Sequence, residues 1–165
     1  MRYTTMPDFA DRGLFDAGLF IGALDMADAR HPEAFPLVLA ARSGQLAICT
    51  TTSILSEVYG ALTWQGAKNP LTPAQAAYAV RSLIELPSQI KILPDSLAAA
   101  LQSLEMASAH NLTARRIHDA RHAAAALVAG VTRVYTYDVE DWKLFASEGL
   151  TIIGPVSSLT LLADN

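Results

Sequence analysis

The sequence predicts an α/β fold in which a mostly parallel central sheet is covered by helices on both faces. Short apolar runs alternate with longer helical patterns along the 165 residues, which is the order that builds successive β-α-β units. No repeat, low-complexity tract or linker divides the chain, and its 52% apolar content is ample for one core. We therefore expect residues 1–165 to form a single domain.

Five short apolar runs are predicted to be the strands. The first, Leu14 and Phe15, leads directly into Asp16. The other four are residues 46–50, 90–93, 133–137 and 150–153. Pro94 ends the third run and Gly154 follows the fifth, as expected where strands stop.

Six helices are predicted between and after these runs, and they end near residues 27, 65, 86, 110, 129 and 147. The clearest start is LTPAQ, where Thr72 is the N-cap, Pro73 takes the first helical position and Gln75 completes a capping box. Asp95 is predicted to cap a later helix, and Asn111 is predicted to close it in the left-handed conformation.

Four acidic residues are expected to meet at one edge of the sheet. Asp16 and Asp138 directly follow strands, whereas Glu57 and Asp119 lie near the starts of helices. In a parallel sheet the carboxyl ends of strands and the amino ends of the following helices share one edge. Bringing like charges within about 4 Å costs on the order of 4 kcal/mol per pair at an effective dielectric near 20, so the cluster makes sense around a cation. Oxygen ligands favour Mg²⁺ or Mn²⁺ over zinc.

Each acid also has an ordinary structural explanation. Asp16 suits a helix N-cap, Glu57 and Asp119 suit the positive end of a helix dipole, and Asp138 suits a turn. Four such coincidences are less credible than one shared site. Asp141, three residues after Asp138, either joins the cluster on one helical face or is an exposed acid at a helix start.

The segment His118-Asp119-x-x-His122 offers a competing explanation. Two histidines at i and i+4 with an acid after the first mimic the H-E-x-x-H motif of zinc hydrolases. A third zinc ligand would have to come from His31 or His110, the remaining histidines of the chain. A zinc-dependent hydrolase is therefore the alternative enzyme.

The acids and their surroundings resemble the PIN-domain family, and within it the VapC-type toxins of bacterial toxin–antitoxin pairs. The likeness rests on LFDAGLF, SILSEVYGAL, the helix start DARHAAAAL, and YTYD followed by WKLF, and it spans nearly the whole chain. It implies a three-layer α/β/α sandwich and Mg²⁺- or Mn²⁺-dependent endoribonuclease activity, with Asp16, Glu57, Asp119 and Asp138 as catalytic metal ligands. It also implies an RNA substrate, a homodimer and a small antitoxin protein as a partner.

Candidate substrate contacts lie near these acids. Thr136 falls on the same strand face as Asp138, where its hydroxyl either serves the site or fills a position suited to a β-branched side chain. Arg115, Arg116 and Arg121 either guide RNA phosphates toward the acids or form an ordinary solvated face.

The sequence departs from the family pattern at Gly18, because Asn or Ser often stands two residues after the first Asp. Gly18 also counts against a phosphatase of the haloacid-dehalogenase type, which needs a second acid there. A receiver domain would want a Lys closing a late strand, whereas Lys143 falls in a predicted helix. A PIN-like binding module without activity is a further alternative, against which the complete set of acids argues.

Composition restricts the function only weakly. The formal charge is −4 with a pI near 5.5, but setting aside the four site acids gives −4 + 4 = 0, so RNA binding is not excluded. Cys49 in LAICT is expected to be buried and inert. No signal peptide or membrane span is evident, which indicates a cytoplasmic protein.

The apolar segments LTPAQAAYAVRSLIEL and LFIGALDMA are either association surfaces or buried core helices.

Overall fold

The computed structural model describes residues 9–154, which form a five-stranded sheet flanked by helices. The strands are Gly13–Phe15 (β1), Ile48–Thr51 (β2), Lys91–Leu93 (β3), Arg133–Tyr135 (β4) and Thr151–Ile153 (β5). The α-helices in this part of the chain are Ala17–Leu24 (α1), His31–Ser43 (α2), Thr52–Thr63 (α3), Pro73–Ile84 (α4), Leu97–Ala109 (α5), Ile117–Val128 (α6) and Val139–Trp142 (α7). Two 3₁₀ helices, Ala114–Arg116 and Lys143–Glu148, directly precede α6 and follow α7.

The sheet is parallel throughout the described residues, with the strand order β3-β2-β1-β4-β5. This order confirms the predicted α/β class. From β1 the chain first adds β2 and β3 on one side of the sheet, and later adds β4 and β5 on the other. The order therefore reverses between β1 and β4, and open α/β sheets bind ligands outside the carboxyl ends of the strands at such a point.

The helices form the outer layers around this sheet. Because connections between parallel strands are right-handed, movements in opposite directions from β1 put the connecting helices on opposite faces. Helix α1 packs on α2 and α3, and α3 packs on α4, whereas α5 and α6 pack on each other. Four aromatic side chains are fully buried in the core: Phe15, Phe20, Trp142 and Phe145.

Two helix ends form as the sequence predicts. Thr72 accepts a hydrogen bond from the Gln75 N–H at 3.2 Å, and the Gln75 side chain accepts one from the Thr72 N–H at 3.0 Å. The capping box at the start of α4 is therefore complete. After α5, Asn111 adopts a φ of 53°, the left-handed conformation that closes a helix.

The prediction that Asp95 caps α5 is wrong, because Ser96 is the N-cap. The Ser96 hydroxyl accepts a hydrogen bond from the Ala99 N–H at 3.1 Å. Asp95 instead accepts one at 2.8 Å from the Thr52 hydroxyl at the start of α3. Asp and Ser are equally good N-cap residues, so the local sequence does not show which of the two caps α5. The hydrogen bond between Asp95 and Thr52, which joins distant segments, distinguishes them.

The sequence patterns do not predict α2, which has 13 residues. Pro32 lies in its first turn, where a missing N–H costs nothing, but Pro36 lies inside the helix and removes one hydrogen bond. The helix nevertheless forms because Ala34, Leu37 and Val38 are buried in the core. Tertiary packing therefore outweighs the local signal of two prolines.

Helix α1 is mostly buried, although Ile21 and Leu24 are only partly buried and Met26, just after the helix, is exposed. Leu19 and Phe20 are almost completely buried, so the excess of apolar residues in LFIGAL fills the core. In α4, Leu83 is buried but Tyr78 is 78% exposed. The second predicted association segment therefore keeps an exposed aromatic residue.

The structure tests two expectations from the sequence, the burial of Cys49 and the lack of a membrane-spanning helix. Cys49 is buried, its thiol donates to the Gly13 carbonyl at 3.5 Å, and burial raises the pKa of the thiol to about 12. Such a thiol is protonated and inert at neutral pH. Between residues 9 and 154, none of the helices combines the length and the apolar content that crossing a bilayer requires.

Candidate metal centre

Asp16 lies at the switch point of the sheet, directly after β1. Its N–H donates to the Tyr135 carbonyl of β4 at 3.1 Å, so the two strand ends are held together. The side chain is buried and forms no N-cap hydrogen bond, although the backbone of Ala17, the first residue of α1, helps to stabilise its charge. Burial raises the pKa of Asp16, and the hydrogen bond from Thr136 opposes that shift.

Two buried donors from the far end of the chain hold the Asp16 carboxylate. Thr136 Oγ1 donates to Asp16 Oδ2 at 2.8 Å, and Trp142 Nε1 donates to the same oxygen at 3.1 Å. The Thr136 hydroxyl also accepts a hydrogen bond from the Asp138 N–H at 3.0 Å. Thr136 is therefore buried, and its hydroxyl joins the Asp16 carboxylate to the backbone N–H of Asp138.

Glu57 is held toward the cluster by His122. His122 Nε2 lies 2.8 Å from Glu57 Oε1, and its Nδ1 lies 3.4 Å from the Thr51 hydroxyl. The imidazole is 1% exposed, whereas the Glu57 side chain is 40% exposed. A fixed ring inside the protein thus orients a carboxylate at its surface.

Asp119, in the first turn of α6, carries the clearest electrostatic sign of a shared site. Its pKa is raised to about 6, first by burial and then by the negative charge of Asp16. The charges of Asp141 and Glu57 raise this pKa further, while His122 lowers it. Acids from four separate segments therefore act on one another at this edge.

Asp138 and Asp141 occupy different surroundings after β4. Asp141 is one of the charges that raise the pKa of Asp119, and Arg116 lies 3.8 Å from its carboxylate. The charge of Asp138 acts on Arg30, whose pKa is raised mainly by a hydrogen bond to Asp28 and further by Tyr137 and Asp138. The structure thus associates Asp141 with Asp119 and Asp138 with Arg30.

The donor set suits Mg²⁺ or Mn²⁺, because the clustered groups are carboxylates whose mutual repulsion a cation would relieve. Within residues 9–154, no three His, Cys, Asp or Glu side chains come close enough together to hold one ion. The acids therefore present a cluster of charge, and not a closed coordination sphere. Mg²⁺ commonly binds one or two carboxylates and keeps several waters, so this arrangement fits it.

The comparison with protein families identifies the fold. The family model for the PIN domain matches residues 14–146, a range that includes the four predicted acids and Asp141. This chain belongs to the PIN-domain family. A sequence comparison with curated proteins found no match.

Solved structures with the same fold include one toxin and two structures bound to DNA. VapC20 from Mycobacterium tuberculosis, described as a sarcin-ricin loop cleaving toxin, has a TM-score of 0.60 and 16% identity over 84% of this chain and 95% of that chain. VapBC2 from Rickettsia felis, bound to a DNA fragment from their promoter, has a TM-score of 0.58 and 14% identity over 86% and 96%. FitAB, bound to the IR36 DNA fragment, has a TM-score of 0.55 and 14% identity over 86% and 94%. At these identities the likeness establishes a shared fold.

The zinc-hydrolase explanation finds no support in this PIN domain. Both ring nitrogens of His122 face protein partners, Glu57 and Thr51, inside the structure. His118 is exposed, and His110 lies elsewhere, where its Nε2 is 2.8 Å from Glu148. The two histidines of the motif therefore do not point at a common ligand position.

The three predicted arginines, Arg115, Arg116 and Arg121, are exposed. Arg116 lies beside Asp141, as noted, and Arg121 lies 3.6 Å from Asp95. Arg115 is exposed in the 3₁₀ helix before α6. A cleft of about 500 Å³ opens beside Glu57, and its walls include Thr52, Ser53, Ser56, Asp95, His118 and Arg121. This cleft places hydroxyl groups and one of the arginines next to the acid cluster.

Trp142 and His122 are the site residues that sequence reasoning missed. In the sequence, Trp142 is part of the WKLF segment that carries the family likeness, and His122 is a candidate zinc ligand. A buried tryptophan needs an acceptor for its N–H, and that requirement is the one signal that pointed toward the acids. Nothing in the local pattern around His122 indicates Glu57 as its partner.

The metal-free protein is expected to lose stability as the pH rises from about 4 to about 6. A carboxyl whose pKa is higher in the folded state binds its proton more tightly there, so folding is favoured at low pH and this advantage is gone above the folded pKa. For Asp119, the shift from 3.8 to about 6 corresponds to roughly 1–2 kcal/mol after discounting for solvent screening. Denaturant unfolding of wild type and Asp119→Asn across this range measures it. Identical pH dependence in both proteins would show that Asp119 has an ordinary pKa.

Proposed function

We propose that this PIN domain is a metal-dependent endoribonuclease that hydrolyses RNA phosphodiester bonds, and that it is the toxin of a toxin–antitoxin pair. The observation that carries the proposal is the clustering of Asp16, Glu57 and Asp119, from three separate elements, at the switch point of the sheet. Burial, and then the charge of Asp16, raises the pKa of Asp119, and a bound cation would offset the cost of ionising it. Residues 1–165 would act as one domain, in the cytoplasm.

Asp16 and Asp119 would be the principal ligands of one Mg²⁺ or Mn²⁺ ion, with Glu57, Asp138 or Asp141 completing the site through water. A divalent ion supplies a more acidic water and neutralises charge that develops on the phosphate. No side chain is needed as a nucleophile.

The protein contributes orientation at this centre. Thr136 and Trp142 fix one oxygen of Asp16, and His122 fixes one oxygen of Glu57. Groups that orient the ligands of a metal typically affect metal affinity or activity by about 10–100-fold. These three side chains therefore matter to catalysis without touching the substrate.

The proposed RNA path runs through the cleft beside Glu57. RNA phosphates approaching an acidic centre need cations to guide them, and such contacts position the strand without reading its sequence. Arg115, Arg116 and Arg121 would supply these cations around the acid cluster. Hydroxyl groups on α3 would supply hydrogen bonds along the same wall.

Changing Arg115, Arg116 or Arg121 singly to Ala is expected to weaken RNA binding and to lower its salt dependence. Loss of one phosphate contact reduces the slope of log K against log salt by about 0.7 for a single strand. Binding of a labelled RNA to Asp119→Asn protein, which does not cut it, measures this effect. Arg81→Ala is the matched control, because Arg81 is exposed on α4 and pairs with Glu85. Unchanged slopes in all three variants would make these arginines a solvated face.

The proposed protein partners are a second copy and a small antitoxin. The likeness of the fold to VapBC2 and FitAB supports a search for such partners. Helix α5 exposes Leu97, Leu101 and Leu104 at successive turns, an apolar stripe that suits association. An antitoxin would lay an apolar helix in a groove and send a basic side chain toward the acids. Sedimentation that shows a monomer at all accessible concentrations would argue against the homodimer.

Cleavage of labelled RNA after removal and return of metal tests the proposed function. Protein treated with a chelator should leave RNA intact, and Mg²⁺ or Mn²⁺ should restore internal cleavage. Activity that returns only with zinc, and that is lost in His118→Ala, would favour the zinc hydrolase instead. Protein that binds divalent metal and RNA but never cuts would be the silent binding module.

A further inference from the structure

Arg30, in the segment between α1 and α2, is held rigidly beside the acid cluster. Its Nε donates to Asp28 Oδ1 at 2.9 Å and its Nη2 donates to Asp28 Oδ2 at 2.7 Å. The guanidinium lies over the ring of Tyr137, 5.4 Å from its centroid. Neither hydrogen bond to Asp28 uses Nη1. A guanidinium fixed by one carboxylate and one ring therefore has its remaining nitrogen in a defined place.

That nitrogen lies against Gly18, the position where the family pattern is broken. A β-carbon at position 18 would be 3.0 Å from Arg30 Nη1 and 3.2 Å from Tyr137 Cδ2. Any side chain at position 18 would therefore compete with Arg30 for this space. Gly18 is the second residue of α1, so Nη1 lies beside the first turn of the helix that Asp16 precedes.

The surroundings of Arg30 connect it to the candidate metal centre. Tyr137, under the guanidinium, is the residue between Thr136, which bonds Asp16, and Asp138. The Tyr137 hydroxyl donates to Glu33 at 2.8 Å, which anchors the ring to α2. The negative charge of Asp138 also acts on Arg30. Arg30 thus places a fixed positive charge at the edge of an otherwise acidic site, with its side chain 34% exposed.

We propose that Arg30 is a substrate-binding residue whose Nη1 contacts a phosphate oxygen of the RNA strand next to the acid cluster. The proposal rests on the proposed ribonuclease function. A phosphate that enters this edge approaches the negative charges of Asp16, Asp119 and Asp138. The guanidinium of Arg30, held in a fixed position, lowers the electrostatic repulsion between the phosphate and these acids. The planar fork of arginine matches a phosphate well, and orientation by Asp28 means that little side-chain entropy is lost on binding.

The test is salt-dependent binding of a labelled, mixed-sequence RNA in metal-free buffer, with Asp119→Asn as the parent protein. Adding Arg30→Gln should weaken binding by about tenfold, as expected for one charge-assisted hydrogen bond, and should lower the salt slope by about 0.7. Adding Gly18→Val, which keeps Arg30 but fills the space of Nη1 with an apolar side chain, should also weaken binding. Arg81→Gln is the matched control, since it removes an arginine that pairs with a carboxylate on α4, and it should change nothing.

The variant Asp28→Asn distinguishes RNA binding by Arg30 from a purely structural role of the Arg30–Asp28 ion pair. Asp28→Asn breaks the same ion pair but keeps the cation, so under the proposal it retains the salt slope of the parent. Thermal unfolding of each variant shows whether it is folded. Arg30→Gln and Gly18→Val that bind as tightly as the parent, with the same slope, would overturn the role of Arg30 alone. A parent that binds no RNA at any salt concentration would overturn the proposed function together with it.

Discussion

Replacing Asp119 by asparagine is expected to abolish RNA cleavage while leaving the protein folded. Asparagine keeps the shape of the side chain but removes the charge, and a proposed metal ligand is thereby lost. Because groups that merely orient metal ligands are worth about 10–100-fold, loss of a ligand should lower kcat by at least about 100-fold. Cleavage of labelled RNA in Mn²⁺, with circular dichroism as the check on folding, measures this.

The same substitution should make the metal-free protein more stable at neutral pH. Burial and the charge of Asp16 raise the pKa of Asp119. The ionised carboxylate therefore destabilises the folded state at pH 7. Lost activity combined with gained stability distinguishes a functional carboxylate from a structural one. Glu85→Gln, which removes an exposed acid at the C-terminal end of α4, is the control that should change neither property. Full cleavage by Asp119→Asn would remove the basis of the nuclease assignment.

Replacing Trp142 by alanine is expected to have the largest effect on stability among the site residues. Trp142 is fully buried and packs edge-on against Phe145, with ring centroids 5.6 Å apart. Truncation of a buried aromatic residue to alanine typically costs about 3–5 kcal/mol, against a total stability of about 5–15 kcal/mol for a domain. Chemical denaturation should therefore show a large fall in the free energy of unfolding.

Trp142→Phe separates the packing role of this side chain from its hydrogen bond. Phenylalanine keeps most of the ring but cannot donate to Asp16 Oδ2, so RNA cleavage should fall by about 10–100-fold in protein that remains folded. Phe145→Leu is the matched control, because Phe145 is equally buried and has no hydrogen bond to Asp16. Equal activity losses in the two variants would mean that Trp142 acts only through packing.

The sequence was sufficient to place Asp16 and Asp119 relative to the strands and helices because their positions follow from local rules. Asp16 follows an apolar run, and Asp119 falls in the first turn of a helix with strong apolar periodicity, so strand and helix boundaries locate both residues. Parallel topology then brings strand ends and helix starts to one edge. For the same reason the start of α4 was predicted to the residue, since its capping box is a property of four consecutive positions.

The supporting contacts could not be predicted, because they join residues far apart in the chain. Trp142 and Asp16 are 126 positions apart, and His122 and Glu57 are 65 apart. A local pattern identifies a buried tryptophan or histidine but does not identify its partner. The contact between Arg30 and Gly18 could not be predicted for the same reason, because it depends on how the segment before α2 packs against α1.

The sequence patterns did not predict helix α2 for a different reason. Two prolines lower the local preference for a helix, and the burial that outweighs them becomes visible only once α1 is in place. Thr136 shows the reverse situation: β4 ends at Tyr135, before the predicted end of the strand, yet the hydroxyl of Thr136 lies beside Asp16. The pattern gave no information about which group that hydroxyl would bond.

Mn²⁺ binding measured by isothermal titration calorimetry is the most direct test of the claim that the clustered carboxylates hold a divalent cation. Wild-type protein should bind Mn²⁺ at pH 7, whereas Asp16→Asn and Asp119→Asn should bind it far more weakly, and Glu85→Gln should match wild type. At pH 6 binding should also release protons, because the pKa of Asp119 is about 6 without metal. Wild type that binds no Mn²⁺, or that binds it no better than Asp16→Asn and Asp119→Asn do, would contradict the proposed metal centre.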